Sequence, residues 1–323
     1  MRPYEGQKDL KSMIAMVSDR PPERVTDYPS IIDLNEMLGP SGPRDDVQLW
    51  EDGGGALVGF AILDYTDNLR FEIRPGAASG DIAAQMISWG LERVRQSMRQ
   101  ESEHRQLLSS CRDSYVERAK LLERAGFARQ EWYTMQLVRS LAEHVPEPVA
   151  PEGFVVRAVA GEHEAGVLAA LHRAAFGTEH VTVEDRLSWM RTPEYDPELD
   201  LVAVAPDGTL AAYALLHVSP QENALCGRLE GHVGSLGTHP AFQRMGLARV
   251  LLLAGLVLLK RRGLETACTS TGCWNLAMQR AARSVGFQTE GRTLFFLKSV
   301  DAASHSGSQR IVDGTTQKPR HSE

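Results

Sequence analysis

Apolar residues along the chain follow two periods, close to 3.6 and close to 2, and the order in which those stretches alternate repeats once. Leu10, Met13, Ile14 and Val17 share one helical face; Leu168, Leu171 and Ala175 share another, with the polar Glu164 heading that set. Residues 47–50 and 56–63 are apolar runs separated by Asp52-Gly53-Gly54-Gly55, and 201–205 and 209–216 are separated by Asp207-Gly208. Each pair predicts a β-hairpin. Helical patterns then follow Glu72-Ile73-Arg74-Pro75 and Gly237-Thr238-His239-Pro240.

The spacing of these landmarks points to a duplicated unit. Asp52 and Asp207 lie 155 residues apart, Pro75 and Pro240 165, and the Gly-Phe pairs ending at Phe127 and Phe287 160. Two copies of one αβ unit are expected, residues 1–140 and 154–300. Residues 141–153 hold three prolines and no apolar period, so they read as the linker. Residues 301–323 hold almost no large apolar side chains and are expected to be a disordered tail.

Composition narrows the class. At about 150 residues per domain, 323 residues suggest two domains with ordinary cores, since 42% of the chain is hydrophobic. A net charge of −7 removes any global cationic field for nucleic acid or anionic lipid. Four cysteines (Cys111, Cys226, Cys268 and Cys273) make neither a disulfide framework nor a CxxC site. The start has no continuous apolar signal region, and the longest apolar run, 250–259, is too short to cross a bilayer. A cytoplasmic protein, monomeric or homodimeric, with no nucleic-acid or membrane partner, is the expectation.

Residues 227–298 carry the most chemistry. Residues 227–237 are glycine-rich and extended, and 238–246 form a turn. A helix starts at Leu247, with Leu247, Val250, Leu251, Ala254 and Leu258 on its apolar face and Lys260, Arg261 and Arg262 in its last turn, before a stop at Gly263. A strand over 266–271, a helix over 275–285 and a strand over 291–298 complete the pattern. A strand, a loop containing Gly246 and a helix N-terminus form an anion site, because free amides point into the loop and small residues let a phosphate approach. Arg244 and Arg249 add charge there.

The segment 236–248 resembles the pyrophosphate loop of the GNAT superfamily of acyl-CoA-dependent N-acyltransferases. That motif has the form [Gln/Arg]-x-x-Gly-x-[Gly/Ala], and Gln243, Gly246 and Ala248 fill it. Asn275 through Gly286-Phe287 resembles the family's later Asn…Gly-Phe segment, so the likeness covers 154–298. Residues 7–140 resemble a degenerate copy, and tandem members such as the mycothiol synthases are known in the superfamily. The resemblance implies an α/β (α+β) fold with two tandem GNAT-like domains, each a mixed central sheet flanked by helices. In the first copy the loop is 75–81, with neither Gln nor Arg in place and with Asp81 where a pyrophosphate would sit.

The resemblance also implies the chemistry: an amine attacks an acyl-CoA thioester, most simply that of acetyl-CoA, and no metal takes part. It assigns cofactor binding to Leu236, Gly237, Thr238, Gln243, Arg244, Met245, Gly246, Leu247, Ala248, Arg249 and Asn275. A 3′-phosphate contact falls to Arg244 or Arg249. Glu230 is the expected base, because Arg228, Glu230 and His232 alternate onto one strand face and a glutamate there is a frequent family base; His232 is the second candidate. The tyrosine many relatives place five residues before the final Phe is Ala282 here, with Leu122 in the matching place of the first copy. Tyr213, Ser284 and Cys273 are the alternative acids. The acceptor is a primary amine of a small molecule or peptide, with specificity expected in 181–195 and the first domain. The competing reading is a non-catalytic acyl-CoA-binding sensor or scaffold.

Gly231, Gly234 and Gly237 are not a dinucleotide fingerprint, since a turn and not a helix follows. Ser235 lacks the spacing of a hydrolase elbow. His232 and His239 have no carboxylate or thiol partner at metal-like spacing along the chain.

Overall fold

A computed structural model describes residues 1–39, 44–64, 66–77, 79–192 and 194–300, with 99–104 excepted. The expected tail, 301–323, and one residue of the first-copy loop, Ala78, lie outside the described residues.

In chain order the first elements are β1 (Arg2–Tyr4), α1 (Gln7–Ser18), α2 (Ile31–Leu38), β2 (Arg44–Glu51), β3 (Leu57–Leu63) and β4 (Leu69–Ile73). Then come α3 (Ser79–Met98), β5 (Gln106–Arg112), α4 (Val116–Arg124) and β6 (Ala128–Ser140). The remainder is β7 (Val155–Ala158), α5 (Ala165–Phe176), α6 (Val183–Met190), β8 (Asp200–Val204), β9 (Leu210–His217) and α7 (Pro220–Cys226). It ends with β10 (Glu230–Thr238), α8 (Leu247–Arg261), β11 (Thr266–Gly272), α9 (Leu276–Ser284) and β12 (Gln288–Ser299). Both predicted hairpins form: β2 pairs antiparallel with β3, and β8 with β9.

Two compact units result. Among the described residues, one comprises those within 1–17, 44–131 and 294–300; the other comprises those within 18–39 and 132–293. In the first, β1-β2-β3-β4 form a sheet, and the end of β12 closes against β5. In the second, the strand order is β6-β11-β10-β9-β8-β7. Chain order and compactness therefore part company at three places. The late strand β12 ends in the first unit, while most of β6 and the segment carrying α2 belong to the second.

The second unit buries apolar surface on both faces of its sheet. On one face Leu247, Leu251, Leu252, Leu256 and Leu259 of α8 pack with Ala212, Ala214, Leu216, Val233 and Ala267. Each fully buried leucine contributes about 1.5–3 kcal/mol, so α8 is among the main stabilising elements. On the other face Leu168 and Leu171 of α5 meet Val202, Leu210 and Tyr213. Small residues on β9 let both helices approach closely. This fixes the strand end from which the anion loop leaves.

Candidate active site

The site is built where β10 leaves its neighbour. Four parallel rungs join β10 to β11, from Glu230↔Thr266 to Val233↔Thr269. Beyond Val233 the two strands part: β10 stays paired with β9 out to Thr238↔Ala212, and β11 runs on along β6 to Gly272↔Thr134. A register shift between Val233 and Ser235, at Gly234, supplies the bend. Among the described residues, one backbone edge of 234–238 is thus left without a strand partner, and polar backbone off the ladder is a ready binding surface.

Gly237 permits a close approach in this stretch. A Cβ there would lie 2.6 Å from a Tyr213 ring carbon and 3.0 Å from the Ala175 Cβ. Tyr213 itself is 2% exposed, and its hydroxyl lies 2.6 Å from His172 Nδ1. It is a core residue committed to His172, which removes it as a free acid.

The turn after β10 is self-supporting. His239 Nδ1 accepts from the amide of Ala241 at 3.2 Å, and Phe242 N donates to His239 O at 2.9 Å. Arg244 then takes a positive φ of 66°, and Gly246 one of 84°. For Arg244 this costs about 1–2 kcal/mol, a strain tolerated where a loop must turn its amides to a ligand. Gly246 caps α8 without a side-chain hydrogen bond, so the first helical amides keep their donors. Gln243, Arg244, Met245, Gly246 and Arg249 are exposed, whereas Leu247 is buried and Ala248 half-buried. An exposed ring of amides at the positive end of a 15-residue helix, flanked by two arginines, suits a pyrophosphate.

Asn275 serves the fold directly, since its Oδ1 accepts from Met278 N at 3.0 Å and caps α9. Both remaining acid candidates are hydrogen-bonded within the fold, Ser284 through its own proton and Cys273 as an acceptor. Ser284 Oγ donates to Ala281 O at 2.7 Å, and Cys273 Sγ accepts from Tyr133 N at 3.5 Å. Ala282 is fully buried.

Glu230, at the start of β10, is 3% exposed. Its Oε2 lies 3.4 Å from Arg228 Nη1, its Oε1 3.6 Å from His232 Nε2, and Cys268 Sγ donates to Oε2 at 3.7 Å. Burial opposes the charge, but His232 and then Arg228 outweigh it, and the carboxyl is held below its ordinary value. Glu230 is therefore ionised at neutral pH. The His232 ring stacks on His217, with centroids 5.2 Å apart and planes 7° from parallel. Burial, reinforced by His232, drops His217 to about 3, so that ring stays neutral. The chain spacing around His232 misses this arrangement: folding gives it both a carboxylate neighbour and a nearby thiol.

Sequence periodicity also misses α7. Asn223 Nδ2 donates to Glu230 O at 2.8 Å and Asn223 Oδ1 accepts from Glu230 N at 3.4 Å, while adjacent Glu222 accepts from Ile32 N in α2 at 3.1 Å. Ser219-Pro220 before Glu222 is a short helix-start signal that marks this element. In the first unit Asp81 lies in the opening turn of α3, where a carboxylate complements the helix dipole.

A splayed strand, a glycine-led loop on a helix N-terminus and a buried ionised glutamate thus lie within the unit formed by 18–39 and 132–293. Residues 167–287 match the Acetyltransferase (GNAT) family, and the chain carries a GNAT acetyltransferase domain. It is 28% identical over 267 residues to a mycothiol acetyltransferase of Saccharomonospora viridis, spanning 77% of this chain and 82% of that one. It is 29% identical to the mycothiol acetyltransferase of Thermobispora bispora, over 77% and 81%. Among solved structures, a GCN5-related N-acetyltransferase from Sphaerobacter thermophilus superposes with a TM-score of 0.66 at 20% identity, covering 91% and 93%. A tandem GNAT protein from the clavulanic acid biosynthesis pathway does so with 0.66 at 16%, covering 94% and 98%. The mixed α/β fold expected from sequence is the observed one.

Proposed function

We propose that this N-acetyltransferase moves an acetyl group from acetyl-CoA to the primary amine of a small, mycothiol-related acceptor, with residues 154–300 carrying the chemistry and 1–140 a degenerate copy. The parting of β10 from β11 after Val233 and Thr269 carries the reading. It leaves backbone groups of Leu236, Gly237 and Thr238 to hold the pantetheine arm and to stabilise the thioester oxygen as it becomes an oxyanion. Gln243, Arg244, Met245, Gly246, Leu247, Ala248 and Arg249 hold the pyrophosphate, mainly through main-chain donors. Asn275 fixes the start of α9 on the pantetheine side.

Glu230 is the base. The acceptor nitrogen gives up a proton towards the Glu230 carboxylate, directly or through water, and bonds to the thioester carbonyl carbon. The carbon–sulfur bond then breaks, and CoA leaves as a thiolate that takes its proton from solvent. A thiolate is a tolerable leaving group near neutral pH, so the step proceeds with Ala282 in the family's tyrosine position. The support is the ionised state of Glu230 and its place beside the splay.

Glu230→Gln tests the assignment. Calorimetry should show acetyl-CoA bound as in the wild type, and acetyl transfer across an amine panel should fall by about 100-fold or more. Unchanged turnover would remove Glu230 from the role.

A further inference from the structure

Parallel pairing of β10 with β11 sets His232 directly beside Cys268. Glu230 lies two residues before His232 on the same strand face. One ligand atom from each of these three side chains lies within 4.8 Å of the other two. Glu230 Oε1 is 3.6 Å from His232 Nε2, and Glu230 Oε2 is 3.7 Å from Cys268 Sγ. In a tetrahedral zinc centre, with bonds of about 2.0–2.1 Å to N and O and about 2.3 Å to S, neighbouring ligand atoms stand about 3.3–3.6 Å apart. Small side-chain rotations therefore bring the donors onto a common ion.

The donor chemistry selects the metal. One sulfur, one imidazole nitrogen and one carboxylate oxygen suit a borderline-soft cation and not magnesium or calcium. The His217 stack holds the His232 ring in place, much as outer partners orient ligands in metal sites. Arg228 is the cation now facing the carboxylate. Its side chain is 40% exposed against 4% for Glu230, so it can turn to solvent when a metal takes its place.

We infer that Glu230, His232 and Cys268 bind a zinc ion, and that occupancy takes the Glu230 carboxylate out of acyl transfer. Binding forms a Zn–S bond and releases the Cys268 thiol proton to solvent; no oxidant or reductant is needed. The zinc site stands on these side chains alone, and only the inhibition rests on Glu230 as base.

The test uses the full chain freed of metal by chelator. Titration with Co2+ should produce a thiolate-to-cobalt band in the near ultraviolet, saturating at one equivalent. Zinc, measured against a chromophoric chelator, should displace it. Cys268→Ser should abolish the band and weaken zinc by about 100-fold, and His232→Asn should weaken zinc by at least about tenfold with the band retained. No band in the wild type, or zinc affinity unchanged from the wild type in both variants, overturns the site; the wild-type titration decides even if a variant misfolds. Acetylated product, quantified by mass spectrometry, should fall as zinc saturates the wild type. Zinc binding with full turnover overturns the inhibition. An active Glu230→Gln enzyme would instead overturn the base assignment and leave the cobalt spectrum as evidence for the site.

Discussion

Thr269 Oγ1 donates to the carbonyl oxygen of Val233 at 2.9 Å, on the rung after which β10 and β11 stop pairing. Both residues are buried. The side chain thus satisfies a backbone acceptor where the ladder opens, and it holds the splay at a defined point. Thr269→Val keeps the shape and removes the donor, leaving that carbonyl short of a partner. The expected cost is about 1–2 kcal/mol, read as a fall of a few degrees in the thermal midpoint. An unchanged midpoint would show that the splay does not depend on this bond.

Asn223 holds Glu230 by its backbone, with its side-chain hydrogen bonds going to Glu230 O and N. Its removal should therefore act on positioning. Asn223→Ala is expected to lower kcat by about tenfold while the acetyl-CoA Kd, measured by calorimetry, stays within twofold of the wild type. A matching rise in Kd would mean that the whole strand had shifted.

Gly246 combines a φ of 84° with open space around its missing Cβ. Substitution there costs strain and not a clash. Gly246→Ala should destabilise by about 1–2 kcal/mol. Gly246→Val also crowds the approach to the helix amides, and acetyl-CoA binding should weaken by at least about tenfold. Equal Kd values for wild type and Gly246→Val would place the pyrophosphate elsewhere.

His172 is 3% exposed, and burial, followed by Arg186 and Arg173, lowers it to about 4. Its folded value lies below the unfolded value of about 6.5. The unfolded chain therefore binds the proton first as pH falls. The stability His172 contributes is complete above about pH 6.5 and is lost on the way down to about pH 4. By pH 5 the loss is about 2 kcal/mol. Urea unfolding at pH 7 and pH 5 should show a smaller drop in His172→Gln than in the wild type; identical drops would mean that His172 titrates normally.

Much of the fold and of the cofactor loop is legible in short stretches of chain. Hairpins at Asp52 and Asp207, the face of α8 and the Gln243–Gly246–Ala248 loop depend on residues a few positions apart, and steric and hydrogen-bonding preferences act over that range. The residues needed to recognise an acyl-CoA loop lie within one turn and one helix start, so they can be read without a partner strand.

Strand pairing is different, because it joins residues far apart and alternation looks the same whichever sheet a strand enters. Nothing in the period of 288–299 says that its end closes against β5, or that most of 128–140 belongs beside β11. Cys268 reaches Glu230 across 38 residues of sequence, and Ile32 reaches Glu222 across 190. The loop proposed to take the cofactor thus rests on residues close together in the chain, and its acyl-CoA reading on the resemblance those residues carry. What surrounds Glu230 follows only from the folded chain, since the dielectric, charges and donor atoms at a buried carboxylate come from whichever strands and helices pack against it.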